Sequence, residues 1–387
     1  MSATDRLELA AIFRDYGPAY RARHGERLLP SHRRVMRAIE QCRTPALGGQ
    51  LAICSQCDQV QYQYHSCRNR HCPKCQHQQT QQWLETQQEL LLPVPYVLLT
   101  FTLPAELRSL ARQQQKLFYG LLFQASAAAS QQLARDPRWL GGQIGLVGVL
   151  HILRQAQDRL WTRDLRYHPH VHYLAPAGGV AADGQTWLAA RKNFFLPVRA
   201  LSRLFRGHFQ RALQKTDAYA RVPSRVWQQD WVVHCKPVGT GQTALKYLAP
   251  YIFRVALSNR RLVKVQNDQV TFRYTEAKTG QTRFCTLPAE QFIHRFLQHV
   301  LPRGFVKVRY YGLFSPGSRK RLACWQRQLT PPPASLSPDP TQAVSKTEAA
   351  EATLSCDSPS AATRRCPGCG GAMQYRSVLL PPVRRPP

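Results

Sequence analysis

The stretch Tyr167-His168-Pro169-His170-Val171-His172-Tyr173-Leu174 constrains this chain more than any other. It is β-prone and apolar apart from three histidines at every second position. Side chains alternate across a strand, so an extended backbone puts His168, His170 and His172 on one face. Three neutral imidazoles on one face make a platform for a metal ion. The plainer alternative is a polar strand face whose histidines are satisfied by hydrogen bonds. A strand of this kind needs neighbours. Tyr96–Leu103, Gly141–Ile152, Trp231–Cys235 and Phe305–Tyr311 read as further strands, and 260–287 as hairpins. Ala105 to about Asp136, 197–215 and Pro288–Leu301 carry helical apolar spacing. The interleaving predicts an α+β domain over about 95–312.

Charge narrows the partner. The 387 residues hold 53 Lys+Arg against 22 Asp+Glu, a net +31. That excess cannot be paired within the fold and seeks an external polyanion, nucleic acid first and an anionic membrane surface second. No apolar run approaches the ~20 residues that a spanning helix needs. The residues Met1–Asp5 lack a basic-then-apolar signal pattern. The expected location is the cytoplasm of a bacterial-type cell, at the nucleoid, with no membrane partner.

With no signal pattern, the twelve cysteines point to metal rather than disulfides. Cys54 and Cys57 are followed, fourteen residues on, by Cys72 and Cys75. Four thiolates at this spacing suit a closed tetrahedral zinc site of structural type, with His65, Cys67 and His71 as further donors. Arg68, Arg70 and Lys74 share these loops, where a rigid zinc module would present them to DNA. Ahead of the cysteines, residues 6–43 look helical, broken at Pro18 and Pro30, with Arg21, Arg23, Arg27, Arg33, Arg34 and Arg37 on a solvated or DNA-facing surface. Gln76–Leu92 reads as a connecting helix.

Lys246-Tyr247-Leu248-Ala249-Pro250-Tyr251-Ile252-Phe253-Arg254 is the second decisive stretch. Tyr247 and Tyr251 are four apart and share a helix face, although Pro250 interrupts good helix sequence. They could be core tyrosines. Lys246, Arg254, Arg260, Arg261 and Lys264 favour a phosphate site beside them instead. A tyrosine oxygen can attack a phosphodiester and store its energy as a covalent link. A metal on His170 and His172 would orient the phosphate. Phe253, Tyr310 and Tyr311 are candidate platforms for unpaired bases.

Together these motifs resemble a known family. His170-Val171-His172 is similar to the HUH motif of single-strand DNA nucleases. Leu99-Thr-Phe-Thr-Leu-Pro104 is similar to their first motif, and Tyr247 with Tyr251 to their two-tyrosine motif. The block Tyr64–Gln76 resembles the zinc-binding domain of two-tyrosine rolling-circle transposases of the insertion-sequence-ninety-one type. The resemblance covers about 7–315. It implies an HUH nuclease fold, a central antiparallel sheet flanked by helices and preceded by a small helical, zinc-binding domain. It also implies single-strand nicking, a 5′-phosphotyrosine intermediate and transfer of transposon ends to a target, with Mg²⁺ or Mn²⁺ at the catalytic site and structural Zn²⁺. The rivals are an HUH replication initiator or relaxase and a non-catalytic zinc-dependent DNA-binding regulator. Ile152–Leu160 is extra relative to the family pattern, either as a surface loop or at the expense of the strand that feeds the metal site. The third metal ligand stays open between His168, His151 and His234.

The expected domains are a helical, zinc-binding DNA-recognition domain over 1–92, a catalytic domain over 93–315 and a disordered Pro/Ser-rich tail over 316–387. Cys366-Pro-Gly-Cys369 in that tail is half of a zinc ribbon, with Cys324 or Cys356 as possible completions.

Overall fold

In the computed structural model the described residues are 7–75, 83–153, 167–243, 245–246, 257–275, 281–330 and 365–381. The chain divides into two compact units, Met1–Cys42 with Cys67–Leu329, and Arg43–Ser66 with Thr330–Pro387. The expected boundaries near 92 and 315 do not coincide with this division.

The first unit begins with helices α1 (Leu9–His24) and α2 (Pro30–Gln41). Pro30 stands in the first turn of α2, where its missing N–H costs nothing. Pro18, expected to break the first helix, lies inside α1. The buried stripe Leu9, Ile12, Phe13 and Tyr20 outweighs the one backbone hydrogen bond it removes.

In the second unit β1 (Gly49–Cys54) pairs with β2 (Val60–Tyr64). In the first unit, β3 (Pro95–Thr102) leads to α3 (Arg108–Gln113) and α4 (Gln115–Arg135), then to β4 (Leu146–Leu153) and β5 (Tyr167–Pro176). A hairpin of β6 (Gly178–Val180) and β7 (Trp187–Ala189), helix α5 (Val198–Leu213) and β8 (Val233–Thr240) follow. Next come β9 (Leu262–Gln266), β10 (Gln269–Thr275), β11 (Thr282–Pro288), α6 (Ala289–Leu297), β12 (Val308–Tyr311) and α7 (Arg319–Leu329).

The central sheet runs β12-β4-β5-β3-β8, antiparallel at every pairing. This is the α+β architecture that the sequence predicts. β5 is its middle strand, and all ten of its residues are buried. Pro237 is tolerated because β8 is an edge strand. Helices α4 and α5 cover one face, packing Phe118, Tyr119, Phe123, Phe205 and Phe209 on Phe101, Val171 and Tyr173. Each fully buried ring contributes roughly 1.5–3 kcal/mol. The other face carries Leu98, Val147, Val149 and Leu174, which cluster with Leu245, Leu322 and Trp325.

The N-terminal helices do not form a domain of their own. Their apolar stripes join α6 and the β11-β10-β9 sheet in one core, with Phe13 edge-on to Phe296 at 5.3 Å. Arg23 and His24 both contact Glu290, and Arg21 pairs with Glu40 at 2.5 Å. Part of the basic helix surface is thus spent inside the fold.

The expected disordered tail also contains structure. Helix α7 buries Leu322 and Trp325 in the first unit. In the second unit β13 (Met373–Leu379) pairs with β1 from Gly49↔Leu379 to Cys54↔Met373. The remainder of that expectation, 331–364, lies outside the described residues. Among the described residues no helix is long and apolar enough to cross a membrane.

Candidate metal centre

β5 places its histidines as the alternation requires, on the face opposite α4 and α5. The ladder to β4 then selects among them. His170 lies opposite His151, and His172 opposite Val149. The ligand atoms of His151, His170 and His172 all fall within 4.8 Å of one another, and the three residues are only 3–4% exposed. His151 Nδ1 is 3.1 Å from His170 Nε2. Three like charges at this spacing in a buried site would repel strongly, so the arrangement is one of neutral imidazoles.

The surroundings orient two of the rings. His170 Nδ1–H donates to the His168 carbonyl at 2.8 Å, which leaves the Nε2 lone pair for the cluster. Thr100, opposite His172 on β3, holds His172 Nδ1 at 2.8 Å. With the hydrogen on Nδ1, His172 also offers Nε2. Three lone pairs directed inward from a rigid sheet fit a divalent cation.

His168 is buried on the same face, its ring centroid 5.3 Å from that of His170, yet its nitrogens do not join the group. The reason lies in the ladder. The register shifts between His151 and Leu153, so β4 offers no matching donor beyond His151. His234 sits on β8 across from Thr100, is exposed, and is also outside the group. Of the extra segment Ile152–Leu160, Ile152 and Leu153 continue β4 with His151 in register, and 154–166 lie outside the described residues.

The cysteines regroup. Cys54, Cys57, Cys72 and Cys75 do not come together as the expected quartet. Cys72 and Cys75 join Cys42 and Cys67 in the first unit, whereas Cys54 and Cys57 join Cys366 and Cys369 in the second. In the first quartet Cys75 Sγ is 3.5 Å from Cys42 Sγ and 3.7 Å from Cys67 Sγ. Hydrogen bonds from the Cys67 and Cys72 thiols lower the Cys42 thiol, and their bonds to Cys42 raise Cys67 and Cys72 in return. His71 is not a member. It accepts the Leu301 amide, and burial followed by the Arg70 charge pushes it down to about 3. His65 lies outside both quartets. Cys42 could be found from the sequence only by noticing one cysteine left at a helix end, and Thr100 only through strand parity.

The expected DNA-contacting side chains fare unevenly. Arg68, Lys246 and Arg260 are exposed. Arg70 donates to the Phe305 carbonyl at 2.8 Å, Lys74 pairs with Glu8 at 2.6 Å, and Arg261 donates to the Arg273 carbonyl at 2.9 Å. Tyr310 and Tyr311 are half-buried rather than open platforms. Tyr310 donates to Gln87 and lies under Arg319, and Tyr311 packs on Tyr173. Tyr247, Tyr251, Phe253 and Arg254 lie outside the described residues.

Two family models match the chain. One described as "Putative transposase" covers residues 147–321, and one described as "Transposase zinc-binding domain" covers residues 12–103. The first spans β5, β8, all of β4 but Leu146, and all three histidines of the centre. The chain is 42% identical over 342 residues to a putative transposase, y4qJ, of Sinorhizobium fredii, covering 83% of this chain and 84% of the relative. It is 26% identical over 359 residues to the transposase for insertion sequence element IS801 of Pseudomonas savastanoi pv. phaseolicola, covering 87% and 82%. No solved structure matches it at comparable stringency. The chain belongs to the IS91-type transposase family, enzymes that process DNA, with an N-terminal zinc-binding domain.

Proposed function

We propose that this transposase nicks and transfers single-stranded transposon ends by a rolling-circle route through a 5′-phosphotyrosine link, with the scissile phosphate held at His151, His170 and His172. The observation that carries the reading is the convergence of three imidazole donors within 4.8 Å on two neighbouring strands. Bound there, a divalent cation would supply Lewis-acid polarisation of a phosphodiester oxygen. The three donors are nitrogens without a carboxylate among them, a set that suits Mn²⁺ better than Mg²⁺.

The chain's own residues do the rest. The hydroxyl oxygen of Tyr247 or Tyr251 attacks phosphorus, a P–O bond to tyrosine forms, and the bond to the 3′-oxygen breaks. The phenol gives up its proton and the departing 3′-oxygen gains one. Attack by the 3′-hydroxyl of another end reverses these changes and frees the tyrosine. A second tyrosine allows two ends to be held in turn. Leu245, two residues before Tyr247, supports this pairing. It is buried with Leu98, Val149 and Leu174, which share the sheet face of the histidines. Exposed Lys246, Arg260 and Arg68 offer positive charge to the strand backbone. Cys42, Cys67, Cys72 and Cys75 hold a structural zinc in this reading.

Labelled single-stranded transposon-end DNA, incubated with the protein and Mn²⁺, is expected to be nicked faster than with Mg²⁺. His151→Ala should slow nicking by at least the ~10–100-fold typical even of outer-shell partners. His168→Ala keeps the carbonyl that orients His170 and should have a much smaller effect. Wild-type nicking by His151→Ala would remove the site from the mechanism.

A further inference from the structure

The second cysteine quartet lies half outside anything the family models describe. The zinc-binding model ends at residue 103 and the transposase model at residue 321, and Cys366 and Cys369 lie beyond both. We infer that Cys54, Cys57, Cys366 and Cys369 bind a structural Zn²⁺ of their own, so that the chain carries two zinc ions and its C-terminal strand is fastened to its N-terminal hairpin by one of them.

The geometry is that of a tetrathiolate. Cys54 Sγ is 3.5 Å from Cys369 Sγ, and Cys57 Sγ is 3.7 Å from Cys366 Sγ. Four sulfurs held tetrahedrally at ~2.3 Å from one zinc stand ~3.8 Å apart. A disulfide would need ~2.05 Å. All four ligand atoms lie within 4.8 Å of one another.

Each half of the site has the form of a metal knuckle. The Gln56 amide points at Cys54 Sγ at 3.5 Å, the Gly368 amide at Cys366 Sγ at 3.4 Å, and the Gly371 amide at Cys369 Sγ at 3.5 Å. Amide donors aimed at sulfur favour the thiolate that zinc requires. Gly370 has φ +78°, a conformation that lets the chain fold back behind Cys369. Its amide closes the turn onto the Cys366 carbonyl at 2.9 Å.

The unit needs such a staple. Among the described residues its sheet is β13-β1-β2, and the buried cluster there is Ala52, Cys54, Cys366 and Met373. Half of that core is ligand. A core this small cannot offset the entropy of ordering three strands, and units of this size usually need a metal or a disulfide. Neither end of the chain can complete the ion's shell alone, because each supplies two sulfurs.

The test counts zinc by mass spectrometry in the full chain carrying His170→Ala with His172→Ala, which removes the histidine centre from the count. This background should hold two ions per chain, and each cysteine change is made within it. Cys54→Ser with Cys57→Ser should hold one, and Cys366→Ser with Cys369→Ser should hold one. The quadruple variant should also hold one, because both pairs serve the same ion. Cys366→His with Cys369→His, which keeps four donors, should regain two. Should the serine variants fail to fold, titration of the metal-stripped background chain with Co²⁺ decides. Two equivalents with thiolate-to-cobalt absorption support the site, and saturation at one overturns it. Two ions in the Cys366/Cys369 serine variant, or none in the quadruple variant, would also overturn it.

Discussion

His32 shows how a single buried side chain sets the response of the fold to acid. It lies at the start of α2, and burial, then the neighbouring His294, pushes it down to about 4 from 6.5. Its Nε2 is buried with no hydrogen-bond partner among the described residues. The folded chain therefore disfavours the imidazolium. The resulting stability is fully present above pH 6.5 and is lost as pH falls toward 4, because there the unfolded chain binds the proton first. His32→Leu removes the titration. Urea midpoints measured from pH 7 to 4 should fall less steeply in the variant, with a relative gain on the order of 2 kcal/mol at the acid end. Parallel curves for the two proteins would contradict this. The same scale decides the metal centre. Spacing alone put His168, His170 and His172 on one face, and the resemblance to the HUH motif favoured the last two. Whether His151 or His168 completes the group depends on a register shift between His151 and Leu153, which strand alternation within β5 cannot reveal.

At the level of elements, the central sheet depends on close approach between β4 and β5. Gly148 lies opposite Tyr173, and a Cβ there would come within 2.4 Å of the Tyr173 ring. That ring is fixed in turn: its hydroxyl donates to the Phe123 carbonyl at 3.0 Å and meets Ser126 Oγ at 2.8 Å. Gly148→Ala should lower the urea midpoint by roughly 1–3 kcal/mol of stability without changing the slope. An unchanged midpoint would show that the ring has room to move. The elements themselves were largely readable. β3 and β5 announce themselves as apolar runs, and α5 through Leu201, Phe205, Phe209 and Leu213 at four-residue steps. Pro18 misled because tertiary packing of α1 overrides a local rule. The helical N-terminus looked separate because nothing local says that Phe13 packs on Phe296.

Across the whole molecule, distance along the chain explains what stayed hidden. Cys54 and Cys57 find their partners more than 300 residues away, at Cys366 and Cys369. Two neighbouring CxxC pairs suggested one local site instead, and the tail read as disordered around half of a zinc ribbon although it returns as β13. The strong positive charge was legible at once and agrees with a chain whose relatives are transposases. In the proposed mechanism the histidine centre works with a tyrosine to hold a DNA end covalently. Single-stranded transposon-end DNA, reacted with Mn²⁺ and digested to peptides, tests it by mass spectrometry. A nucleotide phosphate on Tyr247 or Tyr251 is expected, absent in Tyr247→Phe with Tyr251→Phe and in His151→Ala. Nicking with no such adduct, or an adduct that survives in the double tyrosine variant, would contradict it.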